Sequence, residues 1–288
     1  MYAVTGVTGI TGAIVARRLL QQGEKVRVVL RDRSHMYKWK ERGAEPVIAD
    51  FTDSEAMAFV LEGMAGAYLI CPPSYQSPDP MATSELIAES LVSAVSNSQV
   101  PHVVFLSSQG ARRSKNNGIM AACHEVEQKF RQAGFGVTLL RSAYFMENWV
   151  MGLSNAQENG SFPTFIQPAD RDIPMVSVED VGQAAVDCLL NPVNGVRVVE
   201  ICGPREFSAQ DVAAILSEAY RKPVTPHPMP RQEWEYYFSV EGLSSKMAEL
   251  LAQMFDDLNK TPAPCSENQV ERRKGTITLE QALRKLAP

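Results

Sequence analysis

The chain has 288 residues, 45% of them hydrophobic and 21% charged, and a formal net charge of −5. That length supports one large domain or two small ones, and the composition is that of a core-forming chain rather than a disordered one. The acidic balance argues against nucleic acid as a bulk partner, because phosphate binding needs a concentrated basic face.

Short apolar runs rich in Val, Ile and Leu predict strands at Tyr2–Thr5, Lys25–Leu30, Glu45–Ala49, Ala67–Ile70, Val103–Ser107 and Val137–Arg141. Helical patterns fall between them at Gly12–Gln22, Ser54–Leu61, Met81–Asn97 and Ala121–Ala133, with stops at Gly23, Pro101 and Gly134. The alternation predicts an α/β fold with a Rossmann-type, doubly wound parallel sheet covered by helices. Beyond Arg141 the rhythm loosens into aromatic and Pro-containing loops over 143–175. Ser177-Val178-Glu179-Asp180 then resembles a capping box and opens a helix to Leu190. A strand follows at Arg197–Ile201 and a helix at Ser208–Tyr220. The cluster from Pro223 to Pro230 reads as a rigid linker. Helices are expected over Arg231–Val240 and Ser244–Asn259, the second amphipathic through Met247, Leu250, Leu251, Met254 and Leu258. Residues 1–150 are thus expected to form the nucleotide-binding domain. Residues 151–288 form a smaller, mostly helical substrate-binding portion, with segments near 173–203 returning to the sheet.

The cysteines Cys71, Cys123, Cys188, Cys202 and Cys265 are odd in number and lack CxxC spacing, so neither a disulfide framework nor a metal site is expected. No run approaches the roughly 18 apolar residues that span a bilayer. The first strand begins at Tyr2 and leaves no room for a signal peptide. The expectation is a cytoplasmic protein with reduced thiols, a small-molecule substrate, and neither membrane nor nucleic-acid partner.

Gly6-Val7-Thr8-Gly9-Ile10-Thr11-Gly12 follows the first strand directly and opens the first helix. Glycines permit a tight turn and close approach to a pyrophosphate, while the helix start supplies free N–H groups and positive potential. A glycine triplet alone is weak, but its strand–turn–helix context points to a dinucleotide site; a purely structural turn is the other reading. Arg31 is the first residue past the second apolar run, and Arg33 adds a second guanidinium. Both favour the 2′-phosphate of NADP(H), whereas Asp32 would suit NAD(H), the less favoured cofactor. Asp50 and Phe51 close the third strand, where a carboxylate and an aromatic edge suit contact with adenine; a surface acid before a helix is the alternative.

These residues resemble the NmrA-like branch of the atypical short-chain dehydrogenases/reductases. The resemblance runs through Gly6, Gly9, Gly12, Arg31 and Ala49-Asp50-Phe51, then Leu106-Ser107-Ser108, His124-Glu125-Val126-Glu127 and Leu140 to Asn148. It covers the first half well and the last third loosely. It implies a Rossmann fold and a nicotinamide cofactor, in a family that holds quinone and triarylmethane-dye reductases, isoflavone-type reductases and a redox-sensing regulator.

The resemblance also implies where catalytic residues belong. Ser107 or Ser108 ends the fifth strand as a short-chain dehydrogenase requires, but Met120 and His124 stand where its Tyr and Lys would be. His124 is the candidate catalytic residue, as proton donor or as anchor of the nicotinamide ribose, with an ordinary helix-face histidine as the bland alternative. Without it, hydride transfer with a proton from water suits a quinone or a conjugated dye. Cys71-Pro72-Pro73-Ser74 follows the fourth strand, where the chain passes the cofactor ribose; Cys71 reads as a buried thiol rather than a nucleophile. Tyr144, Phe145 and Trp149 are candidates for the wall of a flat apolar substrate pocket, or else plain core. Two functions follow: an NADPH-dependent reductase of planar, electron-poor compounds, quinone-like or enone-like, or a non-catalytic NADP(H) sensor acting on a protein partner.

Overall fold

A chain whose strands are apolar on both faces must cover both faces of its sheet, and helices alternating with strands do so. The computed structural model describes residues 1–260 and 270–286; Cys265 lies outside the described residues. The chain runs β1 (Tyr2–Val4), α1 (Ile10–Gln21), β2 (Val26–Leu30), α2 (Met36–Glu41), β3 (Glu45–Ile48), α3 (Ser54–Leu61), β4 (Gly66–Leu69) and α4 (Pro80–Ser98). It continues through β5 (His102–Ser108), a 3-10 turn (Gln109–Arg112), α5 (Met120–Gln132), β6 (Gly136–Ser142) and the short β7 (Tyr144–Phe145). After a second 3-10 stretch come α6 (Leu153–Asn159), β8 (Ser161–Thr164), β9 (Ile173–Val176), α7 (Val178–Leu190), β10 (Val196–Cys202) and β11 (Glu206–Phe207). The last described elements are α8 (Ala209–Tyr220), β12 (Thr225–Pro228), α9 (Trp234–Val240), α10 (Ser245–Leu258), β13 (Val270–Lys274) and α11 (Leu279–Arg284).

Eight strands form one sheet in the order β13-β10-β6-β5-β4-β1-β2-β3, every pairing parallel. The order reverses between β1 and β4, where a crevice opens at the carboxyl ends of the strands. One sheet face buries a core against α3, α4 and α5; the other buries Val15, Leu19, Val181 and Leu189 of α1 and α7. A third core, built on Trp149, Phe162, Trp234 and Phe255, belongs to the cap above the strand ends. Phe165 sits among Trp234, Phe238 and Phe255 at ring separations of 4.7–5.7 Å.

The short elements α2, β7, α6, β8 and α11 were not expected from the sequence, and the structure departs from that reading further. The proline cluster, expected as a rigid linker, instead supplies a strand: β12 pairs in parallel with β8 in a two-stranded ribbon. Proline removes one donor per residue, which an edge pairing tolerates. Residues 173–176 join β7 and β11 in a small sheet of their own, so only β10 of the 173–203 segment enters the main sheet. That sheet gains a further strand from the charged run Val270-Glu271-Arg272-Arg273-Lys274 at its edge. Ser177 does cap α7, accepting from the Glu179 N–H at 3.3 Å. The reciprocal acid is Glu147, which accepts from the Val178 N–H at 3.0 Å, while Asp180 accepts from the Ile277 N–H. Among the described residues, no helix is long and apolar enough to cross a membrane.

His102 is fully buried at the start of β5, within 3.3 Å of the Thr138 hydroxyl. Burial, helped by Arg197, pushes its imidazole down to about 4. Below the ordinary histidine value of about 6.5, the unfolded chain therefore takes up a proton that the fold refuses. Stability from this group is complete above about pH 6.5 and is lost as pH falls toward the folded value. Urea midpoints measured between about pH 7 and pH 4.5 should fall, and His102→Leu should make that slope shallower. An identical slope in the variant would contradict the assignment.

Candidate functional site

The turn after β1 is shaped by backbone rather than side chains. Gly6 has φ of +67°, a left-handed conformation costly for other residues. The Gly9 N–H donates to the Gly6 carbonyl at 3.0 Å and closes the loop. A Cβ on Gly12 would stand 2.4 Å from the Thr5 carbonyl oxygen and 2.5 Å from that of Gly6. Those are backbone atoms and cannot step aside, so α1 reaches β1 this closely only with glycine at its third position. Thr5 holds the crevice from below: its hydroxyl donates to the Tyr68 carbonyl at 3.0 Å and accepts from the Ile70 N–H at 3.0 Å. No side chain caps α1 and no acid occupies its first turn. Thr8, Gly9 and Ile10 are exposed while Thr11 and Gly12 are buried. The result is an open, electropositive helix mouth suited to a pyrophosphate.

Beyond β2, Arg31 and Arg33 are exposed and make no ion pair among the described residues. Asp32 is engaged by its own loop: its carboxylate accepts from the Ser34 N–H at 2.8 Å and from the Ser34 hydroxyl. Those bonds, the hydroxyl first, hold its pKa below the usual carboxylate value. Asp50 likewise accepts from the N–H and hydroxyl of Thr52 at 2.8 and 2.7 Å, which lowers its pKa. Phe51 turns inward and its ring is core, 7% exposed. The crevice therefore fits a nicotinamide dinucleotide phosphate at three points: a cradle a Cβ would fill, an uncapped helix, and two unpaired arginines.

A cavity of about 870 Å³ opens over the carboxyl ends of β5, β6, β10 and β13. Cys71, Leu106, Ser107, Ser108, Tyr144 and Phe145 line its inner part. Burial pushes the Cys71 thiol up to about 11 and the neighbouring Cys123 thiol up to about 12, so both are protonated near neutral pH. Burial also raises the Tyr144 phenol, with Asn148 opposing it. Pro72 is half-buried beside Cys71. The 3-10 turn after β5 is started by Ser108, whose hydroxyl accepts from the Gly110 N–H at 3.2 Å.

Two expected site residues stand outside this wall. His124 Nδ1–H donates to the Ala111 carbonyl at 2.8 Å, since a carbonyl only accepts, and Nε2 makes no hydrogen bond among the described residues. His124 does not line the cavity. Trp149 is 7% exposed and donates its indole N–H to the Met175 sulfur at 3.5 Å, within the core of the cap. It supports Tyr144 edge-on at 6.3 Å rather than lining the pocket.

Behind Ser107 lies a buried ionic chain that the sequence reading missed. The Ser107 hydroxyl donates to Glu127 at 2.6 Å, and Arg141 grips the same carboxylate at 2.9 and 2.6 Å. Arg141 also approaches Glu200 at 3.7 Å, and Glu200 accepts a two-pronged bond from Arg112 at 2.7 and 2.5 Å. Glu127, Arg141 and Glu200 are at most 4% exposed. Arg141 and Glu200 sit inside the apolar runs of β6 and β10, and a charge in such a strand must find a partner. That was the available signal. Among the described residues, no group of His, Cys, Asp and Glu side chains is arranged to hold a metal.

An eight-stranded parallel sheet with a glycine-lined, uncapped helix at its switch point defines an α/β protein of dinucleotide-binding type. A model of the NmrA-like family matches residues 2–280, and the chain belongs to that family. It is similar to the NAD(P)H azoreductase of Xenophilus azovorans, at 22% identity across 88% of this chain and 86% of that one. It is similar also to quinone oxidoreductase 2 of Escherichia coli, at 24% identity across 88% and 86%. The crystal structure of Citrobacter sp. triphenylmethane reductase complexed with NADP(H) superposes with a TM-score of 0.82 at 21% identity, covering 99% of this chain and 100% of that one.

The ionic chain is worth testing by breaking it. Arg141→Met would take from the buried Glu127 carboxylate its two-pronged partner and should cost about 3–5 kcal/mol of stability in urea unfolding. A loss below about 1 kcal/mol would mean that Glu127 and Glu200 are satisfied without it.

Proposed function

We propose that this chain is an NADPH-dependent reductase that delivers hydride to a small, planar, electron-poor acceptor, quinone-like or enone-like. The observation that carries the proposal is the adjacency of the open α1 mouth at the β1/β4 switch point to the cavity over β5 and β6. Backbone amides of residues 9–12 hold the pyrophosphate, and Arg31 with Arg33 takes the 2′-phosphate. Asp32, tied to Ser34, is poorly disposed to take a ribose diol, which favours NADPH over NADH. Asp50, Pro72 and Ser108 border the path of the dinucleotide, and Cys71 and Ser107 form the floor beneath the nicotinamide. Bound there, the nicotinamide supplies a hydride. Tyr144 and Phe145 hold the acceptor flat against it and exclude water from one face.

The absence of a free acid supports the choice of acceptor. The Ser107 hydroxyl is committed to Glu127 and His124 stands off the cavity wall, while the thiols of Cys71 and Cys123 and the phenol of Tyr144 have raised pKa values. Among the described residues that line the cavity, none of the serines, thiols or the phenol is a strong proton donor, and a reduced quinone or enone takes its proton from water more readily than an alkoxide forms from a simple ketone. The named activities of the azoreductase and the quinone oxidoreductase fit the same acceptor chemistry.

The test is loss of reduced-nicotinamide absorbance with a panel of quinones, enones, dyes and simple ketones. Turnover should appear with quinones or enones and be negligible with simple ketones. Tight NADPH binding without turnover of any acceptor would overturn the reductase in favour of a cofactor sensor. Arg31→Ala should weaken NADPH about tenfold or more, as expected for a lost charge-assisted phosphate contact, and weaken NADH far less. Equal losses would contradict the cofactor assignment.

A further inference from the structure

The cavity continues well past the region a nicotinamide needs, along β6, β10 and β13, away from β1 and β2. Its wall changes character on the way. Among the described residues, seven cations (Arg or Lys) and three acids line the cavity, a surplus of four in a chain whose net charge is −5. Most of these cations are spoken for: Arg112 by Glu200, Arg113 by Asp257, Arg205 by Asp211 and Arg273 by Glu271. Lys260 and Lys274 have no carboxylate partner among the described residues, and Arg272 reaches Glu200 only at 4.0 Å, behind Arg112 and Arg141. Arg272 and Lys274 are two residues apart on β13 and so share one strand face, opposite Glu200 and Cys202 in register. Arg273 takes the other face with Glu271, at 2.7 Å.

These cations are on the wrong side of the sheet for the cofactor. The adenosine end belongs over β2, beyond β1, whereas β13 is the opposite edge strand. A cationic cluster whose one ion pair among the described residues is the 4.0 Å approach of Arg272 to Glu200, at the distal end of a cavity with a largely apolar inner part, is complementary to a ligand with two unlike ends. We propose that this end is an anion subsite, and that the acceptor carries a carboxylate, sulfonate or phosphate group remote from its reducible centre, held by Arg272, Lys274 and Lys260. Neighbouring strands are about 4.8 Å apart, so the charged group and the reducible centre are separated by about 10–14 Å, two to three strand spacings. The identity of the ligand as an acceptor rests on the reductase reading; the subsite itself does not.

The experiment uses a naphthoquinone bearing a carboxylate on an alkyl arm long enough to cross two strand spacings, and its primary amide as an uncharged isostere. Each is titrated into the NADP⁺-loaded protein, where no turnover occurs, and each is then assayed with NADPH. The acid should bind about tenfold more tightly than the amide at low salt, and the preference should shrink as salt is raised. Lys274→Glu and Arg272→Glu should abolish the preference in both binding and kcat/KM. Lys25→Glu, the same charge change at the amino end of β2, should keep it. Equal affinity for acid and amide overturns the subsite, as does a preference untouched by either charge reversal. Turnover of neither compound overturns the reductase reading alone, because the binding titration still decides the subsite.

Discussion

The contact between the first turn of α1 and the end of β1 governs the rest of the structure. Gly12 brings the helix so close to Thr5 and Gly6 that even one methyl group would collide with two carbonyls. That approach aims the helix mouth into the crevice between β1 and β4, and the lack of a capping side chain leaves its N–H groups for a ligand. A helix end without a cap gives up roughly 1 kcal/mol of stability, a cost expected where the missing partner is a bound anion. Thr5, bonded to both Tyr68 and Ile70, keeps the two strands from separating at the point where the sheet order reverses.

On the other side of the crevice, charge rather than close packing fixes the geometry. Ser107, Glu127, Arg141, Glu200 and Arg112 link β5, α5, β6, β10 and the 3-10 turn into one buried chain. Ion pairs so deep contribute little net stability beyond what their desolvation costs, but they admit few alternative arrangements. They also take the serine hydroxyl out of circulation. Under the proposed reductase activity, a hydroxyl held as a strut suits acceptors that tolerate an unassisted proton.

Much of the fold was legible because it rests on local signals. The six leading strands and the helices α1, α3, α4 and α5 were visible as apolar runs with glycine and proline stops, and Gly6, Gly9 and Gly12 stood in the right context, whereas the short α2 was not read. The edge strand β13 was hidden because its residues are mostly charged, being paired on one side only. β12 was hidden because prolines suppress the strand signal yet tolerate an edge ribbon. Side-chain destinations were least legible. Phe51 and Trp149 look the same in sequence whether they face a ligand or a core, and only packing decided for the core. Asp180 seemed the reciprocal cap of α7, but Glu147, distant in sequence, took that place.

The central claim is that backbone amides at the start of α1 clasp a pyrophosphate. A crystal structure of the NADP⁺ complex tests it most directly. The account requires the pyrophosphate oxygens within hydrogen-bond reach of the amides between Gly9 and Gly12, with the nicotinamide above Ser107. A dinucleotide seated anywhere else on the protein, with that helix mouth left to solvent, would contradict it.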